Sequence, residues 1–249
     1  IQQTNFDRDA EVAILEGAQA LGVDGVIFSP LLLGQADQRL FHVDFPVVLL
    51  GEAVFDVGLD HVTMSNVEAA RAATEHLLAA GKSRIALIGA SPEELRGASG
   101  LRLRGYKEAL AARGIPVDEA LIVGEDRWHR DKGSDAVETL LSRGTHFDGV
   151  VALNDLLAFG AIHALKRNGL SVPRDVAVIG FDDTEAAQYT MPSLSSVNPG
   201  RTEIAKLSVK LLAERIEAAS TDPDLPPRFI AAPFTVMTRD TSAVLTPVG

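Results

Sequence analysis

Two adjacent carboxylates, Asp182 and Asp183, close the segment VAVIGFDD at 176–183. A carboxylate at the tip of a buried strand can accept hydrogen bonds from two neighbouring hydroxyls, which is what a sugar or a ribose presents. That reading of Asp182 stands beside a plainer one, a solvated Asp182 with a helix N-cap at Asp183 or Thr184, and Asp183 reads more naturally as a cap. The segment DGVVALND at 148–155 ends in a second polar pair. Asn154 offers a donor and acceptors suited to a polyol, whereas Asp155, at a helix start, reads as the cap. Arg102 and Arg104 open a further helix, with Gly105 and Tyr106 behind them. Arginine is the usual fork for a carboxylate, a phosphate or a pair of hydroxyls, and at least one of these two is expected to be merely solvated. Trp128 is the only tryptophan and lies in the polar stretch 125–132. A flat apolar face in such surroundings suits stacking on a sugar ring or a base, against the alternative of a core anchor.

The elements that must hold these residues follow one grammar. Short β-branched apolar runs at 23–30, 46–52, 84–90, 148–155 and 176–183 read as strands buried on both faces. Each ends in a polar or small residue, Ser29 and Glu52 among them. Gly180 is expected to let the backbone turn at its strand's end. Helical periodicity runs over 66–80, 104–112, 133–141, 155–166 and 202–219, with glycine or proline closing most of these spans. Alternation of strand and helix at this spacing predicts right-handed crossovers and parallel sheets whose carboxyl edges hold the ligand. Asn198-Pro199-Gly200 reads as a turn or hinge, and 221–227 as a surface loop.

Composition narrows the function. The chain has 249 residues, 46% of them hydrophobic, enough for one large domain or two modest ones. A formal net charge of −11 argues against this segment gripping a phosphate backbone itself. The absence of cysteine excludes disulfides and thiolate metal sites and fits a reducing compartment. No apolar run approaches the roughly 20 residues that cross a bilayer. No phosphate-binding glycine loop or Gly-x-Ser-x-Gly elbow occurs, and the six histidines are scattered. Neither catalytic residues, nor a metal, nor a cofactor is therefore expected.

Together the segments 69–90 (AARAATEHLLAAGKSRIALIGA), 101–110 (LRLRGYKEAL), 147–160 (FDGVVALNDLLAFG), 171–184 (SVPRDVAVIGFDDT) and 192–199 (PSLSSVNP) resemble the effector-binding region of the lactose-repressor (LacI/GalR) family of transcriptional regulators. The resemblance covers nearly the whole chain. It implies an α/β fold of two doubly wound parallel-sheet lobes, the type I periplasmic-binding-protein fold. Three crossovers would join the lobes near Met64–Ser65, Val197–Gly200 and Ala232–Phe234. One lobe would take 1–64 with 200–232, lacking its first strand and helix; the other would take 65–199 with 233–249. The resemblance implies effector contacts at Arg102, Asn154 and Asp182, a stacking aromatic at Trp128, and first-lobe contributions near Glu52 and Met64. Arg201 stands where several sugar-responsive members carry an aromatic, and an arginine there would favour an acidic or phosphorylated effector. The implied protein is cytoplasmic and homodimeric, closes on a small polar effector in the cleft between its lobes, and meets operator DNA through a headpiece absent from this sequence. The alternative is a periplasmic sugar-binding protein of a transport system.

Overall fold

Strands and helices alternate along the computed structural model, which describes residues 1–17, 22–90, 97–125, 127–222 and 224–243. Of the expected features, Asp126 in the stretch around Trp128, Pro223 in the 221–227 loop, and 91–96 and 244–249 of the second lobe lie outside the described residues. In chain order the first elements are α1 (Arg8–Gly17), β1 (Val26–Phe28), a 3-10 helix (Gln35–Phe41), β2 (Val47–Leu50) and β3 (Asp60–Met64). Then follow α2 (Asn66–Ala79), β4 (Ile85–Ile88), α3 (Ala98–Ala112), a 3-10 turn (Glu119–Leu121), β5 (Ile122–Val123), α4 (Arg130–Ser142), β6 (Gly149–Ala152) and α5 (Asp155–Arg167). The last are β7 (Ala177–Phe181), α6 (Glu185–Tyr189), β8 (Ser195–Asn198), α7 (Arg201–Thr221), β9 (Phe229–Ala232) and β10 (Thr235–Met237).

The chain divides into two units, 1–64 with 200–233 and 65–199 with 234–249. Pro233, expected in the second lobe, groups with the first. Its carbonyl lies against Gly200, where a Cβ would come within 2.2 Å of it, and Gly200 takes the left-handed φ of 78° that lets α7 start there.

In the first unit the sheet order is β1-β2-β3-β9, all parallel. Leu15, Phe28, Leu33, Phe41 and Leu49 fill one face, while Val48, Val62 and Leu211 fill the other. Covering both faces is what makes β2 continuously apolar. Sequence periodicity had not pointed to α1. Its amides at Asp9 and Ala10 donate to the Asp7 carboxylate at 2.9 and 3.2 Å. Its buried Glu11 accepts from the amides of Leu31 and Leu33, both at 2.9 Å. At the amino end of β3, Asp60 has a fully enclosed side chain between Arg215, at 2.9 Å, and Arg228, at 3.2 Å.

The second unit has the order β10-β8-β7-β6-β4-β5, parallel except for β10 against β8. All residues of β4, β6 and β7 are buried. Two helices begin earlier than the sequence periodicity predicts. α3 starts at Ala98 rather than 104, and α4 at Arg130 rather than 133. Gly100, Gly105 and Gly133 are helical residues on buried faces, not breakers.

Candidate functional site

The polar tips of β4, β6, β7 and β8 gather at the carboxyl edge of the second unit's sheet, and α3 delivers Arg102 to them. Arg102 and Tyr106 are four residues apart and share the sheet-facing side of the helix. Tyr106 is wholly buried and donates its hydroxyl to the Ile85 carbonyl at 2.7 Å. That bond ties α3 to the start of β4 and leaves Arg102 one turn nearer the carboxyl edge. Arg102 is not a residue at the helix opening, as sequence suggested, but a buried one, 3% exposed. Its Nε donates to Asn66 Oδ1 at 2.7 Å and its Nη1 to the Leu153 carbonyl. The guanidinium carbon sits 3.5 Å from the centre of the Phe181 ring and 5.2 Å from that of Trp128. Trp128 is half-buried and donates its indole Nε1 to the Gly89 carbonyl at 2.9 Å. Arg104, by contrast, is a solvated helix residue with an i,i+4 contact to Glu108 at 3.6 Å.

The cap is Asn154, not Asp155 as expected. Asn154 is the N-cap of α5: its Oδ1 accepts from Leu157 N at 2.8 Å and its Nδ2 donates to the Trp128 carbonyl at 3.1 Å. Its extended backbone, φ −153°, is what a cap needs. Asp155 lies one residue inside the helix and is fully buried. It accepts from Ser196 Oγ at 2.6 Å and from the backbone and hydroxyl of Thr184 at 2.7 and 2.8 Å. Burial, reinforced by the charge of Asp183, pushes the Asp155 carboxyl above its usual range. Asp183 is not a cap either, since Thr184 occupies that position for α6. Its carboxylate takes Arg239 Nη2 at 2.6 Å and Asn198 Nδ2 at 2.9 Å. Gly180 lies within β7 and makes no turn. It leaves room for the Asp155 carboxylate, which a Cβ would approach to 2.4 Å.

Asp182 therefore stands beside a second acid that holds protein groups. It follows the Phe181 on which Arg102 stacks, and it is half-buried. Asp182 and Asp183 have φ of 106° and 49°. Two successive non-glycine residues in this region cost about 1–3 kcal/mol each, so their surroundings must over-determine the turn. The structure thus brings together Arg102, Trp128, Asn154 and Asp182. It adds Phe181, Ser196 and Arg239, which sequence reasoning missed, and Thr184, which it offered only as a possible cap. Only Phe181 carried a local signal, as the aromatic immediately before the acidic pair.

In the first unit, Glu52 follows β2 and accepts from Thr63 Oγ1 at 2.6 Å and from Met64 N at 3.2 Å. His61 fixes the preceding loop, its Nε2 lying 2.6 Å from the Gly51 carbonyl, and burial holds its basicity below the usual value. Met64 pairs in register with Ala232, and Gly200, beside that residue, leads into the exposed Arg201 at the start of α7. Glu52, Met64 and Arg201 thus share this sheet's carboxyl edge. Among the described residues no group of three His, Asp or Glu could hold a metal.

A guanidinium near two aromatic rings, with an acid and an amide beside it, stands at the sheet's carboxyl edge, the place where open α/β sheets bind their ligands. Residues 74–242 match the family model described as a periplasmic binding protein-like domain. The HTH-type transcriptional regulator CelR of Thermobifida fusca is 35% identical over 206 residues, which are 81% of this chain and 59% of that protein. A LacI-family regulator from Sanguibacter keddieii is 41% identical with a TM-score of 0.86, over 97% of this chain and 85% of that one. A CelR–cellobiose complex is 29% identical with a TM-score of 0.82, over 94% and 71%. The chain belongs to the LacI family of transcriptional regulators. This favours a regulator's effector domain over a transport component. The chain spans about three fifths of the length of the curated relatives it matches, 59% and 60% of the first two.

Proposed function

We propose that this chain is the effector-sensing and dimerisation region of a LacI-family regulator and that it binds a sugar or sugar derivative. The observation that carries the reading is the Arg102 guanidinium stacked on Phe181 and Trp128, with Asp182 next in sequence to Phe181. Arg102 and Asn154, held by Asn66, Leu153, Leu157 and the Trp128 carbonyl, fix the half-buried Trp128 and Asp182, which offer a ring face and carboxylate acceptors to a hydroxylated ligand. Glu52 and Met64 stand at the first unit's own carboxyl edge, and Arg201 at that edge would turn preference towards an acidic or phosphorylated sugar. Binding, not turnover, is the output.

The regulator works as a homodimer in the cytoplasm, and a separate headpiece meets operator DNA, since a net charge of −11 suits this segment poorly to that task. Support for the dimer comes from a surface groove between α5 and the segment after α6, where Met191, 90% exposed, lies near Phe159 and Ile162 with Arg130, His163 and Lys166 also lining the groove. A second copy is its occupant, because half-sites on DNA require two headpieces at a set spacing.

The experiment is a titration of Trp128 emission with cellobiose, ribose and their phosphates, run beside thermal shift. A ligand specific for the folded state adds about 2.7 kcal/mol at a hundredfold excess over its Kd. No change in emission and no thermal shift with any of these probes would refute the sugar reading. A monomer in light scattering at micromolar concentration would refute the dimer.

A further inference from the structure

We propose that Asp155, a residue buried behind the site, is a positioning residue that sets the conformation of the Asp182–Asp183 turn through Ser196 and Thr184. The inference rests on the reading of Asp182 as an effector group and names what controls it.

The geometry is closed. Asp155 Oδ1 receives Ser196 Oγ at 2.6 Å, and Ser196 Oγ in turn accepts the Asp183 amide at 2.9 Å. Asp155 Oδ2 receives both the amide and the hydroxyl of Thr184, at 2.7 and 2.8 Å. One carboxylate thus reaches both residues that follow Asp182, directly at Thr184 and through one hydroxyl at Asp183. The Asp182 amide itself donates to the Val197 carbonyl, one residue beyond Ser196, at 2.9 Å. Three consecutive amides are fixed by a surface made of Asp155 and β8. Their carbonyl and carboxylate partners dictate the left-handed dihedrals that a free chain would not choose. Gly180 is the other half of the device, since any side chain there would displace the carboxylate. Asp155 also opens α5, whose cap Asn154 holds the Trp128 carbonyl. A shift of that helix start reaches the aromatic as well as the acid.

The test uses the whole chain. Asp155→Ala removes the acceptor, Asp155→Asn keeps its shape and one acceptor, and Gly180→Ala pushes the carboxylate aside without removing any functional group. Amide hydrogen exchange at Asp183 and Thr184 is expected to rise roughly tenfold or more in the first and third variants and by less in the second, as for the loss of one hydrogen bond. Exchange at Val150 and Val151 of β6 should keep its wild-type rate. Cellobiose affinity, read from Trp128 emission, should fall at least tenfold in the same order. Unchanged exchange at the turn overturns the proposal. So does a uniform rise across β6 and the turn, which would mean that Asp155 only supports the fold. Absence of cellobiose binding in the wild type counts against the sugar reading, and the exchange pattern still decides the role of Asp155.

Discussion

Arg102→Ala should destabilise the second unit as well as weaken effector binding. The guanidinium is 3% exposed and gives charged donors to Asn66 Oδ1 and the Leu153 carbonyl. Each such bond contributes about 1.5–3 kcal/mol. The contact with the Phe181 face, 3.5 Å from the ring centre, adds about 2 kcal/mol when desolvated. Water entering the vacated space recovers part of the sum, so the expected loss is about 3–4 kcal/mol. Trp128 is the only tryptophan and lies in this unit, so its emission follows this unit's unfolding alone. With a slope of about 2 kcal/mol per M of urea, the midpoint should fall by about 1.5–2 M. Arg102→Lys keeps the charge and one donor but loses the planar stack, and should lose about half as much. An Arg102→Ala midpoint within about 0.3 M of wild type would refute the reasoning and make Arg102 a ligand group without a structural share.

Asp60→Asn should destabilise the first unit by about 3–5 kcal/mol, since it breaks a buried ion pair from one side. Burial raises the Asp60 carboxyl, but the hydrogen bonds from Arg228 and Arg215 outweigh it and hold the group below 3.8. A depressed folded value means the contribution is present above the unfolded value and lost as pH falls through the folded one. The wild-type minus Asp60→Asn stability difference, from urea unfolding followed by circular dichroism, should therefore be flat above about pH 5 and shrink below about pH 4; a difference that grows on acidification would contradict this. Asp183→Asn and Arg239→Met should show a coupling of about 1.5–3 kcal/mol in a double-mutant cycle, because the pair meets at 2.6 Å with side chains only 8% and 14% exposed; additive losses would dissolve the pair. Trp128→Phe should lose about 1 kcal/mol with its bond to the Gly89 carbonyl, read as a lower melting temperature.

The strands were legible because parallel strands covered on both faces are apolar at every position, as in β4, β6 and β7. The residues at their tips were legible too. What they do was less so. Asn154 and Asp155 are both good caps, and the choice depends on which backbone is extended, a matter of where the strand lets go. Gly180 announced itself, but its reason is a carboxylate from α5 whose approach no local pattern encodes. Ser196 and Arg239 come from segments 41 and 56 residues from their partners. The helix starts were placed late because the first turns of α3 and α4 carry little apolar periodicity; the fold uses Gly133 for its small size, since a Cβ there would meet the Leu157 carbonyl at 2.0 Å.

The ion pair between Asp183 and Arg239 also imposes an order in time. The two residues are 56 apart, and the same late segment supplies the Thr241 carbonyl to Val178 N at 2.8 Å and its hydroxyl to Ser195 N at 2.8 Å. On the ribosome β7 emerges long before its fastening does. At about 5–20 residues per second, roughly 3–11 s separate the synthesis of Asp183 from that of Arg239. Until then the turn bearing Asp182 lacks one of the two groups that grip its neighbour. The turn is thus fastened only after the segment 239–241 has been made, however early β7 itself has emerged.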